Sequence, residues 1–292
     1  MNLKIFCGSH KHVSYLNNLN SAIQPIGNGK SLFQSNWLVS SKDDNISHKH
    51  LSYGELVGHY WIWKNYLKSN LEGDFWIGFS QYRRHWVGKE PFKNRLMYNY
   101  LIDRFIKIFV NRIASSKYSF YNKRLVKFYR NYDYNSLNIP LELEELKKII
   151  LNDNDISKII KSNDVILTKA FYLGENIIKH FCGLYSLDEE CWEKIVSYLP
   201  QNMQRKFIYS LSNKKEFSAH NMYIAKPKVL DEYFTFLFGY LEKIENIFNK
   251  RTNKKLIEMP RFFGGLSERI ADFWFKEYKK YTHLPVYYIK DV

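Results

Sequence analysis

Four groups of residues in this chain have the types and spacing to do chemistry. The segment WIGFSQYRRHW (Trp76–Trp86) ends an apolar run on Gln81, Tyr82, Arg83 and Arg84. Arginine stays charged and grips phosphate oxygens through two parallel N–H bonds. A pair at a strand end could therefore neutralise a leaving diphosphate in place of a divalent cation; the plainer alternative is a solvated or structural pair. Asp43, Asp44, His48, His50, Glu55 and His59 could share a metal ion, through His-x-His and a helical Glu/His pair four apart. Their spacing matches no zinc motif, and a polar loop with a helix cap accounts for them more simply. His220 and Asn221 open the apolar run HNMYIAK, where they could bond sugar hydroxyls or cap a strand edge. In FFGGLSER, Gly264 and Gly265 let a backbone approach a ligand closely. Glu268, next to Arg269, could act as general base toward an acceptor hydroxyl or complement a helix dipole.

These groups need elements to hold them. LKIFCGS (Leu3–Ser9) reads as a buried first strand, and QPIGNGK has turn spacing. Ser52 and Glu55 fit a capping box opening a helix over 52–68, with Tyr53, Leu56, Tyr60, Trp63 and Leu67 on one face. FWIGFS (Phe75–Ser80) and DVILTK (Asp164–Lys169) read as strands, and AHNMYIAKP as a strand leading to Pro227 in the first turn of a long helix. That helix carries Leu230, Tyr233, Phe234, Leu237, Phe238, Leu241, Ile244 and Phe248 on one side. A Gly-Gly turn, a further helix and an extended tail follow. The alternation predicts an α/β fold with a mostly parallel central sheet flanked by helices, in a single domain over 1–292. Residues 89–130 hold eleven Lys/Arg against two acids, interleaved with Phe, Tyr, Leu and Ile. They read as basic amphipathic helices, and the whole of 89–160 as a helical basic insertion.

The 292 residues are 45% hydrophobic and 17% aromatic, enough for a sizeable core rather than disorder. The formal net charge of +15 favours a polyanionic partner, whether phosphorylated small molecule, anionic membrane or nucleic acid. The plainer reading of part of the excess is an AT-rich coding sequence, which writes Lys, Asn, Tyr and Ile freely. Cys7, Cys182 and Cys191 form no C-x-x-C pair, which suits a reducing compartment without a disulfide framework. The N-terminus meets charge at once, so the expectation is a cytoplasmic protein without a signal peptide or transmembrane span.

The motifs line up in order with a known family. DDNISHKHLSYGELVGHYWIWKN followed by DFWIGFSQYRRHW resembles the capsular and exopolysaccharide biosynthesis glycosyltransferases once catalogued only as a domain of unknown function. The matching residues are Asp44 to Ser47, Glu55 and Leu56, Tyr60 to Asn65, Ile77, Gly78, and Tyr82 to Arg84. QPIGNGK, DVILTK, HNMYIAK and FFGGLSERIADFW are similar to further segments of that family in the same order. Gln81 stands where the family usually has His, and the basic stretch is longer than expected.

The resemblance implies a GT-A-like nucleotide-diphospho-sugar transferase fold. It implies transfer of a hexose, galactose-type favoured, from a UDP-sugar to a growing, lipid-linked or surface glycan. Ser9, His10 and Pro25 to Lys30 would then hold the nucleotide, and Asp44 and Asn45 would contact base, ribose or sugar. Tyr82, Arg83 and Arg84 would meet the diphosphate. His220, Asn221, Gly264, Gly265 and Arg269 would face the acceptor or the sugar. For inversion the base would be Glu268, with Asp164 second. No Asp-x-Asp follows the strand, so arginine-based, metal-independent transfer is expected, with manganese or magnesium as the competing option. Acceptors of this kind are lipid-linked, which makes the basic helices candidates for anionic headgroups at the inner face of the membrane. A non-catalytic sugar-nucleotide or glycan-binding module and a basic nucleic-acid-binding protein are the competing classes; no nucleic-acid motif supports the latter.

Overall fold

A computed structural model describes residues 2–29, 32–88, 136–137, 143–160, 162–251 and 256–289. Lys30 and the basic helices expected within 89–135 lie outside the described residues. The strands are β1 (Asn2–Ser9), β2 (Ile23–Gly27), β3 (Leu38–Val39), β4 (Phe75–Gln81), β5 (Arg84–Trp86), β6 (Ser136–Leu137), β7 (Val165–Thr168), β8 (Phe171–Tyr172), β9 (Glu216–Phe217), β10 (Tyr223–Ala225), β11 (Tyr281–Leu284) and β12 (Val286–Tyr288). The helices are α1 (His50–Tyr53), α2 (Leu56–Asn65), α3 (Leu143–Ile149), α4 (Asp153–Ile159), α5 (Ile177–Tyr185), α6 (Glu189–Ser197), α7 (Gln201–Asn213), α8 (Pro227–Arg251) and α9 (Phe262–Tyr278).

The central path of the main sheet runs β11-β7-β10-β4-β1-β2-β3. β1 pairs in parallel with β2 and β4, and β7 with β11. β10 is reversed against both β4 and β7, so the sheet is mixed rather than purely parallel. This reversal matters for the site. The start of β10, not its end, reaches the edge where β1, β4 and β7 finish.

Both faces of the sheet are covered, which is why its strands are apolar at nearly every position. Alternate residues serve opposite layers. Phe6, Ile77, Phe79, Val165 and Leu167 pack under α2, α8 and α9, while Ile5, Cys7, Trp76, Ile166 and Ile224 face the other side. Helix α8 begins at Pro227 and buries Leu230, Tyr233, Phe234, Leu237, Leu241, Ile244 and Phe248 to 1% exposure or less. Its apolar spacing is thus a core face. The C-terminal part of the basic stretch is also core. Leu146, Ile150, Leu151, Ile156 and Ile160 pack on the second face, and the Asp153 carboxylate receives the Leu3 N–H at 2.6 Å.

The expected long helix is broken. Gly54, at φ 57, separates α1 from α2, and the capping box does not form. Ser52 lies inside α1 and turns its hydroxyl back to the Lys49 carbonyl. Glu55 is thereby released from a capping role and points into the protein. The Gly-Gly turn is also absent: α9 starts at Phe262, so Gly264 and Gly265 are helical. A Cβ on Gly264 would lie 3.1 Å from the Tyr53 carbonyl oxygen, and one on Gly265 would lie 2.6 Å from the Tyr185 hydroxyl. Helix packing, not room for a sugar, demands these two glycines.

Candidate functional site

β1, β4 and β7 end at Ser9, Gln81 and Thr168 on one edge of the sheet. Ligands in open α/β sheets collect at such carboxyl ends. Because β10 is reversed, the turn before it brings His220 and Asn221 to the same edge. Both have left-handed backbones, at φ 77 and φ 52. Two consecutive non-glycine residues there store strain, and the neighbours hold them firmly. The His220 N–H donates to Glu268 Oε1 at 3.0 Å, and its carbonyl accepts from Gln81 Nε2 at 2.9 Å. Asn221 Nδ2 donates to Glu55 Oε1 at 2.8 Å and to the Gly264 carbonyl at 3.0 Å, while Asn221 Oδ1 accepts from the Ser267 hydroxyl at 2.8 Å.

Two adjoining clefts open along this edge. The smaller, about 300 Å³, is lined by Gly8, Ser9, His10, Asn28, His50, Glu55, Gln81, Tyr82, Pro260 and Arg261 among others. The larger, about 610 Å³, sets Arg84, His180, His220, Arg261, Glu268 and Arg269 against an apolar wall of Phe171, Leu173, Leu184 and Phe217. Pro260 and Arg261 belong to both.

The smaller cleft holds an ion pair, Glu55 with Arg261, beside two histidines. Burial lowers the pKa of His10, helped by the positive Lys11 and Arg83. Burial likewise lowers that of His50, with His10 adding to the effect and Glu55 opposing it. Burial alone would raise the Glu55 carboxyl. The Arg261 guanidinium at 2.8 Å and the Asn221 amide outweigh it and hold Glu55 below the usual carboxylate range. Asn28 enters between Gly8 and Gly58, where a Cβ would lie 2.9 Å and 2.7 Å from its amide atoms. Gly8 is therefore a packing requirement for a cleft residue.

In the larger cleft Glu268 is oriented from two sides, by the His220 N–H and by Arg269 Nη1 at 3.2 Å. Arg269 is 3% exposed. It also bonds the Gly265 carbonyl at 2.7 Å, meets His180 Nδ1 at 3.2 Å and lies over the Phe217 ring at 4.6 Å. Burial lowers its pKa, with Glu268 opposing. Its fork is committed to the protein, so it positions Glu268 rather than offering itself to an acceptor. Glu268 is the seventh residue of α9, beyond the first turn where a helix dipole would explain it. Arg84 donates from Nη1 to Gln81 Oε1 at 2.7 Å and lies over the Tyr288 ring at 5.1 Å.

Of the residues expected from sequence, Ser9, His10 and Tyr82 line the smaller cleft, and Arg84, His220, Gly265, Glu268 and Arg269 the larger. Arg83 sits in the β4–β5 turn over the Tyr82 ring, at 5.2 Å. Asn221 is 2% exposed and acts as a bridge inside the protein, and Gly264 contributes its carbonyl to that bridge. Four expectations need correction. Asp164 lies at the start of β7, on the opposite edge, where its carboxylate accepts the Lys280 N–H at 2.9 Å. Pro25 is buried inside β2, opposite Cys7. Asp44 is bonded to Tyr60 and Asn65 on the outside of α2. Asn45 closes its own turn by accepting the Ser47 N–H at 3.0 Å. Asn28 belongs to the Pro25 to Lys30 stretch expected to hold the nucleotide, and it lines the smaller cleft. The sequence does not assign Glu55, Arg261 and His50 to a donor cleft. Their one visible signal is the family-like Glu55-Leu56 pair.

Among the described residues no group of three His, Cys, Asp or Glu side chains is arranged to hold a metal ion. The three cysteines are free. No described helix is long and apolar enough to cross a membrane.

The chain belongs to the family described as Domain of unknown function (DUF4422), whose model matches residues 4–280. No curated protein matches it. Its fold is similar to that of the apo WbbM bifunctional glycosyltransferase, with a TM-score of 0.69 at 20% identity. The match covers 100% of this chain and 46% of that one, so this chain spans about half the length of the relative.

Proposed function

We propose that this member of the family is a glycosyltransferase that moves a hexose, galactose-type favoured, from a UDP-sugar to a glycan acceptor, with inversion. The observation that carries the reading is the pair of adjoining clefts at the carboxyl edge, one holding an exposed guanidinium on a buried carboxylate, the other an oriented carboxylate against apolar walls. The likeness in fold to a glycosyltransferase supports it. In this reading the nucleotide lies over Ser9, His10 and Tyr82. The hexose points toward His220, and the acceptor enters along Phe171 and Phe217. Glu268 takes the proton of the acceptor hydroxyl as its oxygen bonds the anomeric carbon. The bond from that carbon to the diphosphate oxygen breaks, and UDP leaves with both electrons. Holding a carboxylate ready beside the reacting hydroxyl is worth roughly 10²–10⁴ in rate. A lipid-linked acceptor would place the enzyme at the inner face of a membrane.

The test is UDP release from a panel of UDP-hexoses by the full chain, with and without lipid-linked and free glycan acceptors. Release from at least one donor that Glu268→Gln slows without weakening UDP binding is expected. UDP binding without release across the panel would favour the competing reading, a non-catalytic sugar-nucleotide module.

A further inference from the structure

Arg83 and Arg84 are the arginines that the sequence offers for a diphosphate, and the structure gives neither the best position. Arg84 lines the larger cleft, with Nη1 bound to Gln81. Arg83 lines neither cleft. Arg261 lines both. In a sugar nucleotide the diphosphate joins the nucleoside to the sugar whose anomeric carbon must face the acceptor. A group standing between a nucleotide cleft and an acceptor cleft is therefore where the leaving charge grows. We propose that Arg261 holds the donor's diphosphate and stabilises it as it departs, an assignment that rests on the transferase reading above.

The site is built for this before any ligand arrives. Arg261 opens α9 with a left-handed backbone at φ 59, a conformation that a long side chain adopts only when its surroundings impose it. Its N–H donates to the Leu51 carbonyl at 2.8 Å, and its carbonyl accepts from the Tyr185 hydroxyl at 2.8 Å. The side chain crosses Gly54, where a Cβ would lie 3.4 Å from Nη1 and 3.6 Å from Cζ. Glu55 anchors Nη2 at 2.8 Å and is itself held by Asn221. Among the described residues Nη1 and Nε have no partner, which leaves them for phosphate oxygens. The Arg261 side chain is 57% exposed and the Glu55 side chain 9%, so the cation is reachable while its counter-charge belongs to a buried residue. A preset guanidinium needs little reorganisation as charge develops.

Calorimetric titration of uridine, UDP and inorganic pyrophosphate into the full chain, in EDTA and again with manganese, tests the assignment. Arg261→Asn is the main variant, because asparagine tolerates a left-handed backbone, and Arg261→Lys keeps the charge without the fork. A cooperative melting transition confirms that both fold, at a lower temperature for Arg261→Asn, which leaves the buried Glu55 without its partner. The wild type should bind UDP at least ~10²-fold more tightly than uridine. Arg261→Asn should lose that preference and pyrophosphate binding while uridine affinity stays, and Arg261→Lys should lose about tenfold. If Arg261→Asn keeps the preference for UDP, Arg261 is not the diphosphate residue, and the transferase reading survives. Arg261-dependent binding of pyrophosphate without uridine or UDP would uphold the diphosphate site and remove the uridine donor. Binding of none of the three by the wild type, under either condition, overturns both.

Discussion

Asn221 Nδ2 lies 2.8 Å from Glu55 Oε1, joining two buried residues 166 positions apart. Glu55 belongs to the break between α1 and α2, Asn221 to the strained turn before β10. Their bond links the smaller cleft to the turn that presents His220 to the larger one. Asn221→Ala would leave the Glu55 carboxylate short of a donor and would free Ser267 and Gly264 from their shared partner. A loss of about 2–4 kcal/mol in urea unfolding is expected, from an under-satisfied buried charge and an alanine forced to positive φ. A change within about 0.5 kcal/mol would mean the bond has no structural weight.

Glu268→Gln keeps the shape of the side chain and its contact with the His220 N–H. Turnover should fall by about 10²–10⁴-fold while UDP affinity and melting temperature hold. A fall in melting temperature with little change in turnover would show that Glu268 serves packing with Arg269 instead of proton transfer.

Gly265→Ala would put a methyl group against the Tyr185 hydroxyl, 2.6 Å away in the unrelaxed structure. Overpacking of this kind costs about 1–3 kcal/mol. Adding Tyr185→Phe removes the clashing oxygen, so the double variant should be more stable than the sum of the single effects. Strict additivity in a double-mutant cycle would contradict the contact.

His59 and His85 are buried, and burial lowers each pKa to about 4; Glu55 opposes this for His59 and the Tyr82 carbonyl for His85. In the unfolded chain both return to about 6.5. Between these values the unfolded chain takes up protons that the native protein refuses. The contribution is therefore complete above about pH 6.5 and is lost as pH falls toward 4, by up to ~3 kcal/mol for each residue. Replacing either histidine with Gln should flatten the acid limb of the stability profile. An unchanged limb in both variants would assign acid unfolding to other groups.

Periodicity in the chain by itself determined the α/β alternation, the first strand, the buried face of the long helix from Pro227 and the strands read over Phe75–Ser80 and Asp164–Lys169, which the structure ends at Gln81 and Thr168. These follow from local sequence, because burial on one or both faces writes its period directly into the order of residues. Several candidates named from sequence also come together at the sheet edge: Ser9, His10 and Tyr82 line the smaller cleft, and Arg84, His220 and Glu268 the larger. What sequence could not decide is which polar residues face which partner. Glu55 looks like half of a capping box, and only the Gly54 break and the distant Asn221 turn it inward. Asp164 and Asn45 look like site residues, yet Asp164 accepts the distant Lys280 N–H and Asn45 closes its own turn. Arg261 carries no local signal, because its place between two clefts depends on α9 packing against Leu51 and Tyr185. Those contacts join segments 76 to 210 residues apart, and no window of sequence contains them.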